Sequence, residues 1–214
     1  MNLDHEHRTA AAKLIDGKLA GRIVRNLGQI EADFFHSAWP LSERLMHEAF
    51  LAISQVAQAP WECSEVEWST RIVCPEWKMT KGVGTGDMWL ELGELSADPD
   101  GYEHSWLAAA LKAAPTQLCI AVKFRRGLQD FAERIVQDEK AVAGLKKAGF
   151  KRDDDQAVLY VPFDIPAEIM AAGFEQNDLS KALQPISKAA AQAIAAKPEL
   201  DKLLEQVRAA AKRK

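Results

Sequence analysis

The chain has 214 residues, of which 48% are hydrophobic and 27% charged, a composition that fits a folded domain with one core and excludes broad disorder. Its formal net charge of -4 removes any argument for nucleic-acid binding from overall basicity, although a local basic face can sit on an acidic protein. Cys63, Cys74 and Cys119 are an odd set with no C-x-x-C spacing, which argues against a disulfide framework or a zinc knuckle and for buried thiols in a reducing, cytoplasmic setting.

In chain order, the charged stretch Met1 to Lys18 lacks the apolar centre of a secretory signal, and no run approaches the length of a membrane span. His5-Glu6-His7 has the composition of a metal-ligand set at a terminus. Residues 9–37 read as helical, with Leu14, Ile15, Ile23, Val24, Leu27, Ile30 and Phe34 near helical spacing. Gly17, Gly21 and Gly28 leave open one long helix or two shorter ones, and Ala38-Trp39-Pro40 is expected to break the run. A second helix over 42–58 carries Leu45, Ala49, Phe50, Ile53 and Ala57 on one face, and Pro60 ends it.

Alternation then predicts strands. Val66, Trp68, Thr70 and Ile72 lie on one face of the first, over 66–73. Residues 87–95 form the second, with Asp87, Trp89, Glu91 and Gly93 opposite Met88, Leu90 and Leu92. A helical turn fits 104–112, and Leu118, Ile120, Val122 and Phe124 make the apolar face of a third strand. A helix over 128–147 follows, with Gly149 as its stop and Lys146 and Lys147 in its last turn. The fourth strand is 157–163, where Pro162 implies an edge or a strand end. Short helix 168–173 and the Ala-rich helices 178–196 and 198–212 complete the chain.

The expectation is therefore an α/β (or α+β) protein with a four-stranded mixed sheet, flanking helices in an αβββαβ core, and further N- and C-terminal helices. Residues 1–174 form the α/β domain and 175–214 an Ala-rich helical extension packed on it.

The residues that carry chemistry are few. Asp87 follows Gly84-Thr85-Gly86 at the mouth of the second strand, and Lys123 lies within the third. With Glu48 on the helix before the strands, this order resembles the core of the PD-(D/E)XK nuclease-like superfamily over residues 42–163. The resemblance implies a metal-binding Asp87 and a Glu-x-Lys pattern in which Ala121 stands where the glutamate is expected, before Val122-Lys123. Phosphodiester hydrolysis needs a hard cation held by converging carboxylates. Glu91 shares a face with Asp87 but lies four residues on, about 13 Å away. Glu48 converges only if its helix crosses the strand mouth. Taken singly, Asp87 also suits a turn and Lys123 a solvated strand face.

Scattered His36, His47 and His104 make no metal motif, and no G-x-S-x-G, Walker or Rossmann fingerprint occurs. Trp61 and Trp77, in loops beside Pro60 and Pro75, are candidate interface anchors, or pins that hold loops onto the core. Lys123-Phe124-Arg125-Arg126, Lys146-Lys147 and Lys212-Arg213-Lys214 are basic patches able to touch phosphates. The first expectation is a non-catalytic binding or regulatory protein, of accessory or immunity type, on a degenerate nuclease-like fold. It needs no cofactor and acts on a protein partner or nucleic acid, away from membranes. One alternative is a nuclease using Mg²⁺ or Mn²⁺ with Asp87, Lys123 and Glu48. Another is a helical interaction module whose C-terminal helices dock a partner or a second copy.

Overall fold

A computed structural model describes residues 17–66, 68–78, 86–95, 104–114 and 116–213. His5-Glu6-His7, residues 9–16 of the expected first helix, Gly84-Thr85 and Lys214 lie outside the described residues.

Helices α1 (Gly17–Arg25) and α2 (Leu27–His36) bury none of residues 18–36. They lead through a π-helical turn, Ser37–Leu41, directly into α3 (Ser42–Val56). Pro40 therefore does not break the run as expected. It sits inside the π turn, where the regular i→i−4 ladder is interrupted and the chain stays helical. Leu45, Met46, Ala49 and Ile53 recur at helical spacing and are buried. Ser42 holds the next layer in place: its hydroxyl donates to Ser37 O (2.6 Å) and accepts from Leu107 N (3.2 Å) of α4 (Trp106–Ala110).

Among the described residues the sheet has six strands, β1 (Glu62–Val66), β2 (Ser69–Val73), β3 (Met88–Leu95), β4 (Gln117–Phe124), β5 (Lys151–Asp153) and β6 (Val158–Pro162). Their order is β1-β2-β3-β4-β6-β5, and every neighbouring pair is antiparallel. This corrects the expected four-stranded mixed sheet in two places. The segment read as one strand over 66–73 begins at the end of one hairpin arm, the polar Glu62–Val66, and contains the second, Ser69–Val73. The short β5 was also missed. By reversing the chain after α5 (Arg126–Val136) and α6 (Glu139–Lys147), it makes β6 antiparallel to β4 rather than parallel. The helix expected over 128–147 is in fact these two, divided where the Asp138 side chain accepts from Lys140 N and caps α6. β6 lies between β4 and β5, so Pro162 marks its end and not the sheet edge.

One sheet face carries Met88, Leu90 and Leu92, Ile120 and Val122, and Leu159 and Val161. They share a single core with α3, α5 and α6, and with α7 (Ala167–Glu175), α8 (Ser180–Ala195) and α9 (Lys197–Lys212). Leu183 and Ile186 of α8 and Leu200, Leu203, Leu204 and Val207 of α9 are buried in it, so the C-terminal stripes are covered by this chain's own sheet and helices. The opposite sheet face carries a smaller cluster of Leu95, Cys119, Ala121 and Val158 beside Tyr160. No helix among the described residues is long and apolar enough to cross a membrane.

Candidate anion-binding site

Asp87 sits where β3 begins and is 1% exposed. Its backbone is pinned on both sides: its N–H donates to Trp77 O (2.8 Å), and its carbonyl accepts from Arg125 N (3.1 Å). Gly86 makes the approach to Trp77 feasible, because a Cβ there would lie 3.0 Å from both Trp77 O and Met88 O.

The two carboxylate oxygens of Asp87 go to two different arginines. Arg125 Nε donates to Oδ1, and Arg208 Nε donates to Oδ2 at 2.8 Å. Arg208 Nη2 also reaches Trp77 O (3.3 Å). Arg208 arrives because Leu200, Leu203, Leu204 and Val207 turn the inner stripe of α9 to the core, which puts residue 208 on the flank of that stripe, beside the β3 entrance.

A second polar chain runs beside the first. The indole of Trp77 donates to Asp201 Oδ1 (2.7 Å), and Lys197 Nζ bridges Asp201 Oδ2 (2.7 Å) and Glu76 Oε2 (2.6 Å). The bonds to Asp201 and Glu76 push the Lys197 ammonium above the usual lysine range. Lys78 pairs with Glu62 at 2.5 Å. The short 3₁₀ turn Pro75–Trp77 is thus fastened to α9 by side chains from both ends.

Between these groups lies a cavity of about 510 Å³ lined by Glu76, Lys78, Asp87, Arg125, Leu128, Arg208, Ala211 and Lys212. Among the described residues, four cations and two carboxylates line it; both carboxylates are already ion-paired, and Lys78 is taken up by Glu62. A second hollow of about 370 Å³ lies farther along α5 and α9, lined by Phe131, Arg134, Ile135, Ala210 and Arg213. Lys212, Arg134 and Arg213 form no ion pair among the described residues. The seam between α5 and α9 is therefore a cationic surface over an apolar floor.

Compared with models of known protein families, with curated proteins and with solved structures, the chain matches none.

The candidate residues fall in separate places. Lys123 is paired with Trp89, and Ala121 stands directly opposite Glu91, both on the sheet face away from the helices. Asp87 precedes Met88, the partner of Phe124, so it lies four ladder positions from Ala121, about 13 Å. Glu48 accepts from Arg44 (2.7 Å) on α3, a helix that packs on β1, β2 and α8, whereas Asp87 meets α9 and the start of α5. Glu91 is engaged by Arg71 (3.0 Å) and by the Trp89 indole (2.7 Å). Among the described residues no group of three or more His, Cys, Asp or Glu side chains is placed to hold a metal ion. Trp77 is 1% exposed and packs edge-on against half-buried Trp61, with ring centroids 5.1 Å apart. The two tryptophans face each other inside the chain.

Sequence reasoning passed over Arg208, Asp201 and Lys197. Arg125 drew notice only as part of a basic patch.

Proposed function

We propose that this is a non-catalytic binding protein, of accessory or regulatory type, that receives an acidic segment of a protein partner along the α5–α9 seam. One observation carries the reading: among the described residues, Arg134, Arg213 and Lys212 stand without acidic partners around a floor of Phe131, Ile135, Ala210 and Ala211. Cations above an apolar groove fit carboxylates interleaved with apolar side chains, the pattern of an acidic amphipathic peptide. Catalysis through Asp87 would require its carboxylate to leave both arginines before it could ligate a metal.

The test uses fluorescein-labelled poly-L-glutamate followed by anisotropy, with a single-stranded oligonucleotide as the competing class. Binding of poly-glutamate that weakens with salt and is lost in Arg134→Glu/Arg213→Glu supports the reading. Binding of the oligonucleotide alone, or of neither probe, overturns it. So does Mn²⁺-dependent plasmid nicking that disappears in Asp87→Ala.

A further inference from the structure

We propose that two copies of this chain associate through their N-terminal helices, with α1 and α2 of one copy lying antiparallel against α1 and α2 of the other. The surface lies on elements other than those of the α5–α9 seam.

Of the ten large apolar side chains left exposed among the described residues, eight lie between Leu19 and Trp39. Five of them, Leu19, Ile23, Leu27, Ile30 and Phe34, recur at spacings of four, four, three and four, which is one face of a helix. The joint at Asn26 keeps that pattern. Its N–H donates to Arg22 O (3.2 Å) and Ile23 O (3.1 Å), and its carbonyl accepts from Ile30 N (3.0 Å). The five side chains are 36% to 55% exposed, so the described part of the chain leaves the stripe uncovered. Apolar surface concentrated in this way marks an interaction site.

The polar border of the stripe says what covers it. Arg22, Asn26, Gln29 and Asp33 follow one edge at spacings of four, three and four. When two copies run in opposite directions, Arg22 meets Asp33 and Asn26 meets Gln29, each twice about a two-fold axis. In that register Leu19 comes opposite Phe34, Ile23 opposite Ile30, and Leu27 opposite Leu27. A parallel pair would set Arg22 against Arg22 and Asp33 against Asp33, which like-charge repulsion disfavours. Arg22 forms no ion pair among the described residues, and the Asp33 carboxylate accepts from the uncharged Gln29 amide (2.7 Å). An anionic lipid surface would repel Asp33 on this edge, whereas a reversed copy of the edge neutralises it. Residues 17–36 supply about 30 Å of helix, a small interface, so dissociation in the micromolar range is expected.

Sedimentation velocity of the full chain from about 1 to about 100 µM tests this, and a reversible monomer–dimer equilibrium is expected. Leu27→Glu places two like charges at the centre of the interface and should raise the dissociation constant about tenfold or more. Leu27 is exposed, so that variant should keep the urea midpoint of the parent. Arg22→Asp and Asp33→Arg should each weaken the dimer about fivefold, and their combination should restore it, because the pairs re-form with the signs exchanged. A chain that is monomeric at about 100 µM overturns the proposal, whether its stripe is covered by residues 1–16 or it sediments with phosphatidylserine vesicles. A dimer that Leu27→Glu leaves intact also overturns it, by placing the interface elsewhere. So does a dimer that Leu27→Glu abolishes but in which the losses from Arg22→Asp and Asp33→Arg add, because the antiparallel register is then wrong.

Discussion

Arg208 Nε lies 2.8 Å from Asp87 Oδ2, joining residues 121 positions apart and fastening the last helix to the entrance of a central strand. Asp87 is 1% exposed, so removing Arg208 leaves one buried carboxylate oxygen without its charged donor. Loss of one partner from a fully buried pair costs about 3–5 kcal/mol, and here Arg208 is 31% exposed and Arg125 remains. Arg208→Ala is expected to destabilise by about 2–3 kcal/mol in urea unfolding. In the double variant with Asp87→Ala the two losses should be strongly non-additive. Additive losses would mean that the contact contributes nothing.

The Trp77 indole bond to Asp201 links the same turn to α9 by a different route. Trp77→Phe keeps most of the packing against Trp61 but removes the donor. A hydrogen bond to a charged group contributes about 1.5–3 kcal/mol, and that is the expected loss. Trp77→Phe and Asp201→Asn in combination should cost less than the sum of the two single losses, the remainder being the Lys197 pair that only Asp201→Asn removes. A neutral Trp77→Phe would show that Lys197 suffices to hold Asp201.

Parts of the fold were legible in sequence through local rules, although Pro40 did not end its helical run. Gly149 was readable as a helix stop, and it has φ +91 with Phe150 N donating to Leu145 O and Gly149 N to Lys146 O, both at 3.0 Å. The stripes of α8 and α9 were readable for the same reason. β1 and β5 were not: Glu62–Val66 and Lys151–Asp153 are short and polar, and they become strands only because a neighbour offers a ladder. Missing β5 inverted the direction assigned to β6. Asp87 stood out at the mouth of its strand as a candidate metal ligand, but its arginine partner on α9 has no signature at such a separation. The alternation of β3 tells which face Glu91 takes, while the side chain of Asp87, just before the strand, is turned by its arginines to the helical layer.

Gly149→Ala is expected to cost about 1–2 kcal/mol, since an L-residue at that φ is strained. The new Cβ also meets the Gln192 side chain, which donates to Ala148 O (2.8 Å) and would have to move. Gly149→Asn, which tolerates the left-handed region better, should recover part of the loss. Equal melting temperatures for all three proteins would contradict the strain argument.

Burial pushes the Cys119 thiol up to about 12, from an ordinary 9.0. Between those two values the folded chain keeps a proton that the unfolded chain releases, so stability falls as pH rises. Cys119→Ala should flatten part of the loss in urea midpoint between about pH 8.5 and about pH 10.5. In the native protein at about pH 8, Cys119 should also be the slow thiol and half-buried Cys63 the faster one. Rapid labelling of Cys119 under native conditions would contradict its burial.

Ala121→Glu separates the sequence expectation from the geometry. The resemblance to a Glu-x-Lys pattern implies that a glutamate at 121 completes a metal site with Asp87. The ladder places residue 121 opposite Glu91, with Cβ atoms about 4.5–5.5 Å apart. Ala121 is 1% exposed, so the introduced carboxylate would be buried against a like charge already bonded to Arg71 and Trp89. A loss of about 2–4 kcal/mol is expected by urea unfolding. Any Mn²⁺ the variant takes up would lie between the new carboxylate and Glu91, because Asp87 is about 13 Å along the ladder. Mn²⁺ titration of Ala121→Glu and of Ala121→Glu/Asp87→Ala should then give the same affinity. An affinity present in the first and abolished in the second would show that Asp87 leaves its arginines and reaches across four ladder positions, and the separation of the two sites would have to be abandoned.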